Sequence, residues 1–135
     1  MPFSVQLEDG VVVGTCSGAL MVEDAKAGAT AVWNNPDWRG KPIVWDLRSA
    51  QLDVDAEGVR AIARFILTSQ PSPPPPRVAF VTAREVDFGM ARMLEAYREN
   101  RATEVHVFRD YEAASCWVRL REPDASSSTE RARPE

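Results

Sequence analysis

Apolar positions along the chain change period from one stretch to the next, and each change marks an expected element. Phe3, Val5 and Leu7 alternate with Ser4, Gln6 and Glu8, the two-residue period of a half-buried strand, and "VVVGTC" is a second apolar run. Asp9-Gly10 between them is a hairpin signal, because the tight turn needs positive φ, which glycine adopts freely and aspartate tolerates. Strands at about 3–8 and 11–16 are therefore expected to pair antiparallel. Met21, Ala25, Gly28 and Val32 then recur at helical spacing over about 19–33, with Ser17 as the candidate cap, until "NNPDWRGKP" ends the helix.

The run "IVWDL" is apolar at consecutive positions, as in a strand covered on both faces. Asp53 or Asp55 would cap the next helix, whose stripe is Val59, Ile62, Ala63 and Ile66. "PSPPPP" stops it, since proline lacks an amide proton and biases its predecessor away from helix. The proline run reads as a stiff connector rather than a docking ligand, which would need one free side. "RVAFVT" is a fourth strand, followed by a helix with Asp87 as cap and Met90, Met93, Leu94 and Tyr97 as its stripe. "TEVHVF" is a fifth, and Asp110 opens a last helix with Ala113, Cys116, Trp117 and Leu120 on one face.

From Glu122 onward only two alanines are apolar, so 122–135 is expected to be a disordered tail after a domain of residues 1–121. The order β-β-α-β-α-β-α-β-α predicts one α/β domain: a five-stranded mixed sheet, an antiparallel hairpin followed by parallel strands, with about four helices and right-handed crossovers.

Composition narrows the function classes. With 44% hydrophobic and 27% charged residues the chain has the balance of a globular protein. Sixteen Lys plus Arg against 20 Asp plus Glu leave a formal charge of -4, without the overall cationic field that holds nucleic acid. No stretch approaches a membrane span, and the N-terminus lacks the basic start and apolar run of a signal peptide. Two widely separated cysteines suit a reducing compartment, so a cytoplasmic protein is expected.

Candidate chemistry is sparse. "GTCSG", residues 14–18, fits a nucleophile elbow around Cys16, and Asp87 and His106 follow in a plausible order. The preceding strand, however, belongs to a hairpin, the chain is short for a hydrolase, and His106 falls within a strand rather than a loop. Cys16 and Cys116 are better read as core residues, and no enzyme activity is expected. One histidine and two distant cysteines make no zinc set, and neither a Walker loop nor Gly-x-Gly-x-x-Gly is present, so no metal or cofactor is expected. Trp33, Trp38, Trp45 and Trp117 suit core packing, with an apolar pocket or partner surface as the alternative. Arg84 and the helix start after strand four could meet an anion, but no glycine-rich approach accompanies them.

Three segments, "IVWDLRSAQLD", "RVAFVTAREVDFGMARMLEAY" and "EVHVFRDYEAASCWV", resemble the STAS domains of anti-sigma factor antagonists and, more closely, the bacterial SpoIIAA-like family, related in shape to CRAL-TRIO lipid-transfer domains. The resemblance spans about Phe3 to Leu120 and implies a regulatory module that binds a protein partner or itself. Phosphorylated antagonists carry Asp-Ser-Ser-Gly at the helix after strand three. The string here is Asp55-Ala56-Glu57-Gly58, with no hydroxyl to phosphorylate. Glu57 would put a fixed negative charge in the first helical turn, copying part of what a phosphate supplies.

The expected contact surface is the edge from Asp46 to Gly58, with Asp46, Arg48, Asp55 and Glu57, and the helix start is expected to face solvent. The rival reading is a carrier or sensor of a small apolar or lipid-like ligand, held between the sheet and the helix of Phe88, Met90 and Met93. Arg92 follows one turn on, as a binding candidate or a solvated charge. A closed core favours the first reading, and a cavity of roughly 300 Å³ or more the second.

Overall fold

Asp9 and Gly10 take φ values of 52° and 81°, the left-handed geometry of a two-residue hairpin. Strands β1 (Phe3–Glu8) and β2 (Val11–Leu20) accordingly pair antiparallel, Glu8 opposite Val11 and Phe3 opposite Cys16. The computed structural model describes residues 3–97 and 103–120, so the expected tail from Glu122 lies outside the described residues. The remaining elements are α1 (Val22–Trp33), β3 (Ile43–Leu52), α2 (Ala56–Ser69), β4 (Arg77–Val81), α3 (Glu85–Tyr97), β5 (Glu104–Phe108) and α4 (Tyr111–Arg119).

The sheet order is β1-β2-β3-β4-β5, with β2 to β5 parallel. Successive parallel neighbours joined by right-handed crossovers must carry all their helices on one face. Helices α1, α2 and α3 lie there side by side, and α4, after the last strand, returns across β3, β4 and β5 on the other face. Helix α4 packs Ala114 and Val118 against Val11, Val13, Val44, Ala79 and Val81. On the three-helix face Val12, Ile43, Val78 and Val105 meet Val32, Trp45 and Phe80. Consecutive apolar residues in β2 and β3 are thus buried in alternate directions. The proline connector is packed as well: Pro75 is buried, and its carbonyl accepts the Thr103 hydroxyl at 2.6 Å.

Trp45 sits opposite Gly14 in the β2–β3 register. A Cβ built on Gly14 would lie 2.3 Å from Trp45 Cζ3, and one on Gly28 of α1 would lie 3.3 Å from Cη2. The indole therefore fills space that two glycines leave open between strand and helix.

Three sequence expectations are corrected. Ser17 caps no helix: β2 continues to Leu20, and α1 begins after Met21, whose N–H donates to the Asp24 carboxylate at 2.8 Å. Parallel pairing with β3 holds "GTCSG" in the sheet, as Gly18 opposite Ala50 illustrates, so the segment forms no nucleophile elbow, in line with the sequence arguments against one. Asp87 lies inside the first turn of α3 rather than capping it. In α4 the buried residues are Ala114 and Val118, while Ala113, Cys116 and Leu120 are exposed. Ala114 and Val118 are the pair that meets Val44, Ala79 and Val81 of the sheet. Asp55 does cap α2, accepting the Gly58 N–H at 2.8 Å, and Asp110 caps α4 through Ala113 N–H at 3.1 Å.

Candidate functional site

Strand β3 ends where α2 begins, and a backbone bond from Asp53 N–H to Leu20 C=O ties that end to the end of β2. The N-termini of α1 and α2 therefore stand together at the carboxyl edge of the parallel strands. Asp55, Ala56 and Glu57 are exposed there, while Gly58 and Val59 turn inward. Gly58 is constrained by packing, because a Cβ would lie 2.9 Å from Val22 Cγ2 and 3.1 Å from Val54 Cβ. The first turn of α2 is thus pressed against α1 from below and open above. Glu57 reaches Arg60 at 3.2 Å, an exposed pair.

The candidate residues separate into several places. Asp46 and Arg48 lie on the α4 face: Arg48 donates through Nε and Nη2 to the Asp46 carboxylate at 2.9 and 2.8 Å, with its guanidinium 5.0 Å from the Tyr111 ring centroid. This fork holds the Asp46 carboxyl below its ordinary value, chiefly through the side-chain hydrogen bond from Arg48. Phe88 lies under the Arg109 guanidinium at 4.2 Å. Arg92 pairs with Glu95 at 3.1 Å, its side chain 61% exposed. Of the apolar trio expected to hold a ligand, Met90 alone lines the cavity described below; Phe88 and Met93 do not.

That cavity, of about 110 Å³, lies between the sheet and all three helices of the crowded face. Cys16, Trp45 and Phe80 form its floor, Ala25, Ile62, Ile66, Met90 and Leu94 its walls, and Met21 stands at its mouth. Sequence periodicity could not find it, because its lining comes from seven elements and no one of them carries a distinctive motif. A shallow depression adjoins it, sharing Met21, Asp24 and Val54 and adding Val22, Glu23, Asp53 and Asp55.

The Cys16–His106 pairing is absent. Cys16 belongs to β2 on the three-helix face, whereas His106 of β5 packs on Trp117 of α4 with ring centroids 4.7 Å apart. Three inter-strand spacings, on the order of 14 Å, separate those strands. Burial, followed by the charges of Asp46 and Asp24, pushes the Cys16 thiol up to about 12, which removes the thiolate a nucleophile needs. A thiol reagent on the folded protein is expected to modify one cysteine, exposed Cys116, and to reach Cys16 after denaturation. Two rapid equivalents in the native state would contradict this. Among the described residues no three His, Cys, Asp or Glu side chains converge as a metal site, and no helix is long and apolar enough to cross a membrane.

Asp87, at 1% exposure, joins these elements from beneath. Its Oδ1 accepts the Leu52 N–H at 2.9 Å, and Arg84 Nε lies 3.1 Å from Oδ2. A buried carboxylate thus fixes the last residue of β3 to the first turn of α3.

No family model matches the sequence, and no curated protein does. Solved structures do match in shape. One is an uncharacterised protein of the DUF3478 family with a SpoIIAA-like fold from Shewanella loihica PV-4, with a TM-score of 0.57 and 14% identity over 86% of this chain and 91% of that one. Another is an anti-sigma factor antagonist from Mycobacterium paratuberculosis, with a TM-score of 0.58 and 15% identity over 87% of this chain and 93% of that one. The fold is SpoIIAA-like, a five-stranded mixed sheet with four helices.

Proposed function

We propose that this SpoIIAA-like chain is a cytoplasmic, non-enzymatic regulatory module that binds a protein partner, or a second copy of itself, through the rim at the start of α2. One observation carries the reading: Asp55, Ala56 and Glu57 are exposed on a turn whose next residues, Gly58 and Val59, are locked into the core. A rigid, outward-facing turn offers contacts without an ordering penalty, which favours recognition. No hydroxyl occupies positions 55–58, so binding through this turn has no serine switch. Glu57 supplies a permanent negative charge near the helix N-terminus instead. The Asp46–Arg48 pair lies on the opposite face and would extend the contact only for a partner that wraps the sheet edge.

The test uses a photo-crosslinking amino acid at exposed Ala56, with exposed Ala113 on α4 as the control position. Irradiation in lysate of the source cell is expected to give a discrete protein adduct, or a covalent dimer, from position 56 and little from position 113. Equal yields at both positions, or none at 56, would overturn the assignment.

A further inference from the structure

We propose that the cavity under the three-helix face binds one compact apolar small molecule, neutral or amine-bearing, and that carboxylates at its mouth exclude anionic ligands. This stands independently of partner binding. Cys16, Trp45, Ile62, Phe80, Met90 and Leu94 line the space, and among its described lining residues Asp24 alone is charged. A pocket with such walls offers water almost no hydrogen bonds, while an apolar guest gains contacts that the packing leaves unmade.

Size sets the class. At about 110 Å³ the space suits a single ring or a short branched chain, since an apolar cavity of about 150 Å³ accepts benzene. Sites for larger ligands begin near roughly 300 Å³, so a lipid chain is excluded. Access is through Met21, 56% exposed, where the cavity meets the depression edged by Glu23, Asp24, Asp53 and Asp55. None of the described residues lining either space is Lys or Arg. A carboxylate entering there meets four carboxylates, whose charge Lys26, 4.0 Å from Glu23, and the two helix N-termini offset only in part, whereas an ammonium group meets attraction.

Trp45 is the one tryptophan among the described lining residues, so its indole N–H reports occupancy separately from Trp33, Trp38 and Trp117. The experiment titrates the ¹⁵N-labelled full chain with benzene, benzylamine and benzoate at low ionic strength. Benzene and benzylamine are expected to move the Trp45 signal saturably while the other three indoles stay in place, with benzoate at least about tenfold weaker. Ala25→Leu, which puts a larger side chain on the α1 wall, should abolish the response while keeping folded dispersion; Ala29→Leu serves if that variant fails to fold. No saturable Trp45 shift with any probe, or a response that survives the filling substitution, would overturn the site. Benzoate binding as tightly as benzene would overturn the selectivity.

Discussion

Gly14→Ala is expected to destabilise the protein by about 3 kcal/mol, at the upper end of the usual overpacking range. The added methyl would lie 2.3 and 2.4 Å from Cζ3 and Cε3 of Trp45. Those are atoms of a rigid ring, enclosed by β2, α1 and Phe3, so the clash cannot be relieved by rotating the end of a flexible side chain. Urea denaturation followed by far-UV circular dichroism would show a lower midpoint with little change in slope. A cycle with Trp45→Leu isolates the cause: with the ring gone, the Gly14→Ala cost should shrink by at least about 1 kcal/mol. Strict additivity of the two substitutions would show that the indole is not what confines Gly14.

Asp87→Ala should have the next largest effect, about 2–3 kcal/mol, the cost of leaving a buried donor without its acceptor. The Leu52 N–H would lose its carboxylate partner, while Arg84, with a 46% exposed side chain, can return to water. Asp87→Asn retains an acceptor oxygen and should cost less than half as much. Hydrogen exchange provides the local readout: the Leu52 amide should exchange markedly faster in Asp87→Ala than in Asp87→Asn, beyond what the change in global stability explains. An unaltered Leu52 amide would remove Asp87 from its role in tying β3 to α3. Because β3 leads directly to the exposed turn at Asp55, loss of this tie would also loosen the rim proposed to dock a partner.

Local chemistry makes much of the architecture readable in the sequence. Asp9-Gly10 specifies a tight turn through its backbone preference, and Asp55 and Asp110 specify helix starts by offering an oxygen to free amides. The apolar stripe of Val59, Ile62 and Ala63 faces inward as its spacing predicts. Expectations failed where a distant partner decided the outcome. "GTCSG" has the small residues of a turn, but parallel pairing with β3 extends it as strand, and Asp87 has the composition of a cap but is buried by the end of β3. The stripe of α4 depended on which of its residues the sheet met, a contact with Val44, Ala79 and Val81 that nine residues cannot encode locally.

The sequence by itself determined the elements, their order, the α/β class and the Asp55-Ala56-Glu57-Gly58 turn without a hydroxyl, because each rests on contacts within a few residues. Tertiary structure alone decided that Trp45 lies across Gly14, that Cys16 and His106 are far apart, and that seven elements line an apolar cavity beside an acidic rim. Those features arise from side chains distant in sequence meeting across a sheet, and the period of any one segment carries no record of what will be packed against it.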